Sequence, residues 1–113
     1  VEPTVFADVA PSSSIAQEEI FGPVLSITPY EDEEEAVRLA NYSTYGLAGT
    51  VWTTDLDRGA RLARRIHTGT VGLNGYLPDL TSPYGDRKAS GLGSELGPER
   101  LQAYQQFQSI YRS

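Results

Sequence analysis

The sequence predicts an α/β fold built around a parallel sheet, and three observations predict it. The hydrophobic period alternates between two and 3.6 through the middle of the chain, with Gly and Pro marking the changes. The run Leu47-Ala48-Gly49-Thr50-Val51-Trp52-Thr53 carries no charge on either face, as a strand covered on both sides would. The order strand, helix, strand, helix, strand with short connections is that of right-handed βαβ crossovers, giving a βαβαβ portion of a larger sheet.

Taken in order, Thr4-Val5-Phe6-Ala7-Asp8-Val9 has strand composition and stops at Pro11 and three serines. Residues 19–27 are β-rich but broken by Gly22-Pro23. Proline cannot donate to a ladder, so an extended entry, a break and a strand over 24–30 are expected. From Asp32 the period is helical: Ala36, Val37, Leu39 and Ala40 form one stripe, and the acidic run 31–35 fills the first turn, where the helix dipole favours it. This helix should end near Asn41.

After the strand at 47–53, Asp55 is a good N-cap for a helix over 56–67. Leu56, Ala60 and Ala63 lie on one side of it; Arg58, Arg61 and Arg65 form a solvated face that can meet the acidic helix. Gly69 reads as a left-handed terminator. A third strand follows at 70–74. Residues 75–97, with Gly75, Gly85, Gly91, Gly93, Gly97 and two prolines, read as a long irregular loop, a length usually kept for function. Pro98 suits the first turn of a short helix over 98–104. The tail 107–111 alternates as a strand does, yet no local segment is left to pair with it, which points to pairing with another domain or subunit.

Composition narrows the chemistry. The 113 residues contain no cysteine, so disulfides, thiolate metal sites and a thiol nucleophile from this chain are excluded. With no methionine and Val1 in front, the chain reads as part of something longer. A net charge of −6 argues against a general nucleic-acid binder. No apolar run approaches the ~20 residues of a membrane helix, and no signal peptide opens the chain, so a cytoplasmic protein without a membrane partner is expected.

Three motifs invite a functional reading. Gly91-Leu92-Gly93-Ser94-Glu95-Leu96-Gly97 fails as a dinucleotide loop, because its glycines are misspaced and it follows a loop instead of a strand. His67, the single histidine, has no carboxylate at i±3 or i±4 to help it hold a metal, and as a cation near a helix C-terminus it needs no further role. Glu18-Glu19-Ile20-Phe21-Gly22-Pro23 is odder. A carboxylate can accept two hydrogen bonds from a ribose diol and an aromatic face can buttress a flat ring, although an exposed Glu beside a buried Phe is the plainer alternative.

That string resembles the signature opening the last part of NAD(P)-dependent aldehyde dehydrogenases. Further pieces follow in the family's order: Asn41-Tyr42-Ser43-Thr44-Tyr45-Gly46-Leu47-Ala48-Gly49, Gly69-Thr70-Val71 with Asn74, then Pro83-Tyr84-Gly85, Lys88, Ser90-Gly91, Gly93, Glu95 and Gly97. The resemblance implies that Glu19 hydrogen-bonds the nicotinamide ribose of NAD or NADP and that Phe21 packs near the nicotinamide ring. Tyr84, in place of the usual Phe, would line the substrate tunnel beside the aldehyde, and residues 75–82 would shape its mouth. Residues 1–97 would be the C-terminal part of the catalytic domain, and 98–113 a short helix and an oligomerisation arm.

In that family a cysteine thiolate attacks the aldehyde, hydride passes to NAD(P)+, and a glutamate-activated water hydrolyses the thioester. Nucleophile, base and Rossmann-like cofactor domain belong to the upstream part, so the resemblance implies that this chain alone is inactive and needs the remainder of the enzyme. Two positions depart from the pattern: Asp86 stands where a second glycine is usual, and Ser94 replaces an arginine. Beside this reading stand a non-catalytic module that docks by its terminal strand and a degenerate remnant of an enzyme.

Overall fold

In a computed structural model, residues 1–77, 79–85 and 87–113 are described. The chain is α/β, as its periodicity predicts, but its sheet is divided. Strand β1 (Thr4–Phe6) pairs in parallel with β2 (Val24–Ser26), and β3 (Ala48–Val51) pairs in parallel with β4 (Thr70–Leu73). A continuous βαβαβ sheet over 24–30, 47–53 and 70–74 is therefore corrected: β2 takes β1 as its hydrogen-bonded neighbour, not β3.

The reason is local. After β2 the chain stays zipped to the first strand, with Ile27 N donating to Phe6 O at 2.8 Å, Val9 N to Ile27 O at 2.9 Å and Thr28 Oγ1 to Val9 O at 3.0 Å. Pro29, without an N–H, then ends the pairing. The register runs Thr4 against Val24 in the first pair and Ala48 against Thr70 in the second.

Helical turn α1 (Ser14–Gln17) lies in the first crossover and α3 (Leu56–Ala63) in the second; α2 (Glu33–Tyr42) connects the two pairs. Both longer helices start on an aspartate that satisfies an orphan amide. Asp32 accepts from Glu35 N at 2.8 Å, and Asp55 from Arg58 N at 2.9 Å. The basic face of α3 does meet the acidic start of α2: Arg58 pairs with Glu33, and Arg65 Nη2 lies 2.5 Å from Glu34 Oε2. That contact lowers the Glu34 carboxyl, through the Arg65 hydrogen bond first and its charge second.

Gly69 is not a left-handed terminator, since Gly91 and Gly97 are the described glycines with positive φ. Its bareness serves close approach: a Cβ there would stand 1.6 Å from Gly85 O. The segment 75–97 is also more regular than predicted. It holds an antiparallel pair, β5 (Tyr84–Gly85) with β6 (Ser94–Glu95), and a bridge from Lys88 back to Tyr45. Ser94 thus sits in β6 opposite Gly85; Asp86 lies outside the described residues.

Pro98–Tyr104 is helical as predicted, in the tighter 3₁₀ form. Residues 105–113 form no strand with the described residues, and Phe107, Ile110 and Tyr111 are all largely exposed.

Val9 is the one buried hydrophobic residue among those described. The accessible surface is 9084 Å², against about 6,100 Å² for a compact monomer of this mass. The radius of gyration is 18.4 Å, against about 13 Å for a compact domain of this length. Trp52, on a segment that reads as buried, is 74% exposed. Surface with the composition of a core therefore faces outward. Among the described residues no helix is long and apolar enough to cross a membrane.

Candidate functional site

Glu19 and Phe21 lie on the break between α1 and β2. Ser14 O receives Glu18 N at 2.8 Å, ending the helical turn, and Gly22 O receives Val24 N at 2.7 Å, folding the chain tightly into the strand. Between these bonds the backbone is forced outward. Phe21 adopts φ 53°, a left-handed conformation unusual for a bulky residue, and its side chain is 94% exposed. Strain of this kind costs about 1–2 kcal/mol. Within this chain Phe21 is not buried. Glu19 is exposed and borders a cleft of about 520 Å³ with Gln17, Tyr45, Gly46 and Ser90. Its carboxylate has no hydrogen-bonded partner among the described residues.

The junction that brings Gly46 and Ser90 to that cleft is, by contrast, held together by hydrogen bonds. Asn41 clamps the end of α3, donating from Nδ2 to Arg65 O at 2.8 Å and accepting from His67 N at 2.7 Å. Lys88 Nζ reaches the last carbonyls of α2, Asn41 O at 3.1 Å and Ser43 O at 3.0 Å. Ser90 Oγ accepts from Gly46 N at 2.9 Å. His67 enters this junction through its backbone. Asn74, at φ 54°, clamps Thr53 in the same two-handed way, with both bonds at 2.7 Å.

Tyr84 belongs to a separate cleft of about 450 Å³, lined among the described residues by β4, Gly75, Leu77, Asp79, Pro83 and Leu96. The two clefts share no lining residue, so the chain does not by itself bring Glu19 and Tyr84 into one pocket. Phe21 lines neither of them.

Asp79 anchors the wall of the second cleft. Its Oδ1 accepts from Thr81 N at 2.9 Å and Thr81 Oγ1 at 2.7 Å, and its Oδ2 from Ser82 Oγ at 3.1 Å. The Thr81 amide, then the two hydroxyls, hold its carboxyl below the usual range. Gly97 fastens the loop from the other side, with its N donating to Leu80 O at 3.3 Å; it sits at φ 68°, where a side chain would also press on Pro83. Sequence reasoning missed this turn, although the spacing Asp79-Leu80-Thr81-Ser82 is the signal that finds it.

Comparison with known proteins places this geometry. The model of the aldehyde dehydrogenase family matches residues 1–110. Geranial dehydrogenase of Castellaniella defragrans is 63% identical over 98% of this chain and 23% of its own length. The NADP/NAD-dependent aldehyde dehydrogenase PuuC of Escherichia coli is 44% identical over 100% of the chain and 23% of its own length. Among solved structures, an aldehyde dehydrogenase of Mycobacterium tuberculosis complexed with NAD+ superposes with a TM-score of 0.91 at 55% identity, covering 94% of this chain and 22% of that one. The chain therefore spans about a quarter of the length of the proteins it matches.

Proposed function

The chain belongs to the aldehyde dehydrogenase family, and from that membership we propose that it is the C-terminal wall of an NAD(P)-dependent enzyme oxidising an aldehyde to a carboxylic acid. The observation that carries this reading is the Glu19–Phe21 corner: a carboxylate without a partner among the described residues beside an aromatic held outward at φ 53°.

This corner fits a nicotinamide nucleotide. Glu19 accepts hydrogen bonds from the ribose hydroxyls, and Phe21 sets its ring against the nicotinamide. The cofactor, when bound, supplies the hydride acceptor. Residues 1–97 complete the catalytic domain, Tyr84 faces the aldehyde, and the arm 98–113 pairs with a second subunit in a homo-oligomer. The nucleophile, the base and most of the cofactor site come from the rest of the polypeptide, so the isolated chain is inactive. The working compartment is the cytoplasm.

The experiment is to read the coding sequence upstream of Val1 and assay the complete product. An in-frame cysteine and glutamate motif with aldehyde-dependent reduction of NAD+ or NADP+ supports the proposal. A stop codon or an unrelated domain there contradicts it.

A further inference from the structure

Helix α2 ends without a basic residue of its own in the last turn, where orphan carbonyls and the negative end of the helix dipole favour one. Lys88 supplies it from elsewhere in the chain. Its Nζ donates to Ser43 O, 45 residues away in sequence, at 3.0 Å, and to Asn41 O at 3.1 Å. Both are charge-assisted bonds to carbonyls, which are stronger than neutral ones.

The backbone of Lys88 is committed to the same place. It stands at φ 56°, in the left-handed region that disfavours residues with a Cβ. Bonds on either side hold it there: Arg87 N donates to Gly46 O at 3.2 Å, and Ala89 N to Thr44 O at 3.0 Å. Ser90 Oγ then accepts from Gly46 N at 2.9 Å. Gly46 has no room to give way, since a Cβ there would stand 2.7 Å from His67 O.

This lacing shapes the cleft that Glu19 borders. Ser43, Tyr45 and Gly46 line it from one segment, Ala89 and Ser90 from the other. Lys88 is not on the lining; it ties the two segments together from behind. A strained residue persists only where its surroundings over-determine it. Loss of the amine therefore lets the turn at 88 relax, and the surface formed by Ala89 and Ser90 moves with it.

We propose that Lys88 is a positioning residue for cofactor binding: its bonds to the end of α2 set the shape of the cleft in which Glu19 meets the nicotinamide ribose. The proposal rests on the reading of Glu19 given above and adds to it a residue that acts without touching the ligand.

The test is titration of NAD+ and NADP+ into the complete polypeptide, with steady-state kinetics on propanal, for Lys88→Met, Lys88→Gln, Lys88→Arg and the double variant Lys88→Met with Glu19→Gln. Displacing a binding group by ~1 Å can cost up to ~10²-fold, so Lys88→Met should weaken cofactor binding by about tenfold. The KM for propanal should change less than about threefold. Lys88→Arg, which keeps the charge and its donors, should stay within about threefold of wild type on both. Because Lys88 acts through the surface beside Glu19, the losses in the double variant should fall short of the product of the single ones. Lys88→Gln is measured beside Lys88→Met so that a folding failure in one leaves the comparison intact. Unchanged cofactor affinity in Lys88→Met, equal losses for cofactor and propanal, no rescue by Lys88→Arg, losses that multiply in full, or failure of both neutral variants to fold would overturn the role of Lys88 and leave that of Glu19 standing. Unchanged cofactor affinity and hydride transfer in Glu19→Gln would overturn both.

Discussion

The corner at Glu19–Phe21 and the junction around Asn41, Gly46, Lys88 and Ser90 meet at one cleft through Glu19, Gly46 and Ser90, yet they are built on opposite principles. At the junction every polar group that gives the motif its character is used up inside the protein: two carbonyls on Lys88, two backbone bonds on Asn41, one amide on Ser90. At the corner the carboxylate has no described partner, and the ring stands in solvent at a strained φ. Motif residues are therefore not all of one kind. Those at the junction hold backbone segments in place; those at the corner make no described hydrogen bond through their side chains.

Substitutions at the two regions should separate cleanly. The largest effect is expected behind the junction, at Gly69→Ala, whose methyl group would overlap the Gly85 carbonyl. Overpacking against backbone costs roughly 1–3 kcal/mol or more, so the complete enzyme should lose several degrees in Tm or fail to accumulate in soluble form. A wild-type melting curve for Gly69→Ala would contradict the close approach of 69 to 85.

Asn74→Ala comes next. It removes both exposed bonds to Thr53, each worth about 0.5–1.5 kcal/mol. Faster amide exchange at Thr53 and Asn74 would report it, and unchanged protection there would show that the clamp is dispensable.

The corner should behave in the opposite sense. Phe21→Gly relieves the left-handed backbone and should raise stability by about 1 kcal/mol while weakening nicotinamide binding, as differential scanning and cofactor titration would show. Loss of both stability and binding would mean that Phe21 is a packing residue after all.

The smallest effect concerns pH. Glu34 and Asp79 both have folded-state carboxyl pKa values lowered, by Arg65 and by the Thr81–Ser82 donors respectively. Their contribution is therefore complete above the unfolded carboxylate range and is lost as pH falls through the folded values. Both groups lie at the surface, so the acid-side decline they cause should be slight, and Asp79→Asn should flatten it further. A decline that steepens in Asp79→Asn would reverse the assigned sign.

Much of this was legible in the sequence. Asp55 as a cap, the meeting of the arginine face with the acidic helix, and Gly22-Pro23 as a break all follow from local chemistry, and local chemistry decided them. The pairing of β2 with β1 was not legible, because periodicity says that a strand exists and not which edge it takes. Gly69 was assigned to the wrong cause for a related reason: the need for a bare Cα comes from Gly85, distant in sequence. The Glu19–Phe21 pair was legible as odd residue chemistry, but its strained, outward geometry comes from two flanking backbone bonds that no pattern announces.

The uncovered surface separates the chain from a self-sufficient domain. With 9084 Å² exposed and Val9 the only buried hydrophobic residue described, the isolated 113 residues should bind a hydrophobic dye and melt without a sharp transition. A cooperative melt with no dye binding would contradict that.

The claim at the centre of the account is that Glu19 is kept free for the cofactor, and one substitution tests it most directly. In the complete enzyme, Glu19→Gln keeps the shape and removes the charge. A fall of at least about tenfold in NAD(P)+ affinity or in the rate of hydride transfer, the scale of a hydrogen bond to a charged acceptor, is expected with no change in Tm. Unchanged affinity together with an unchanged hydride-transfer rate would contradict it.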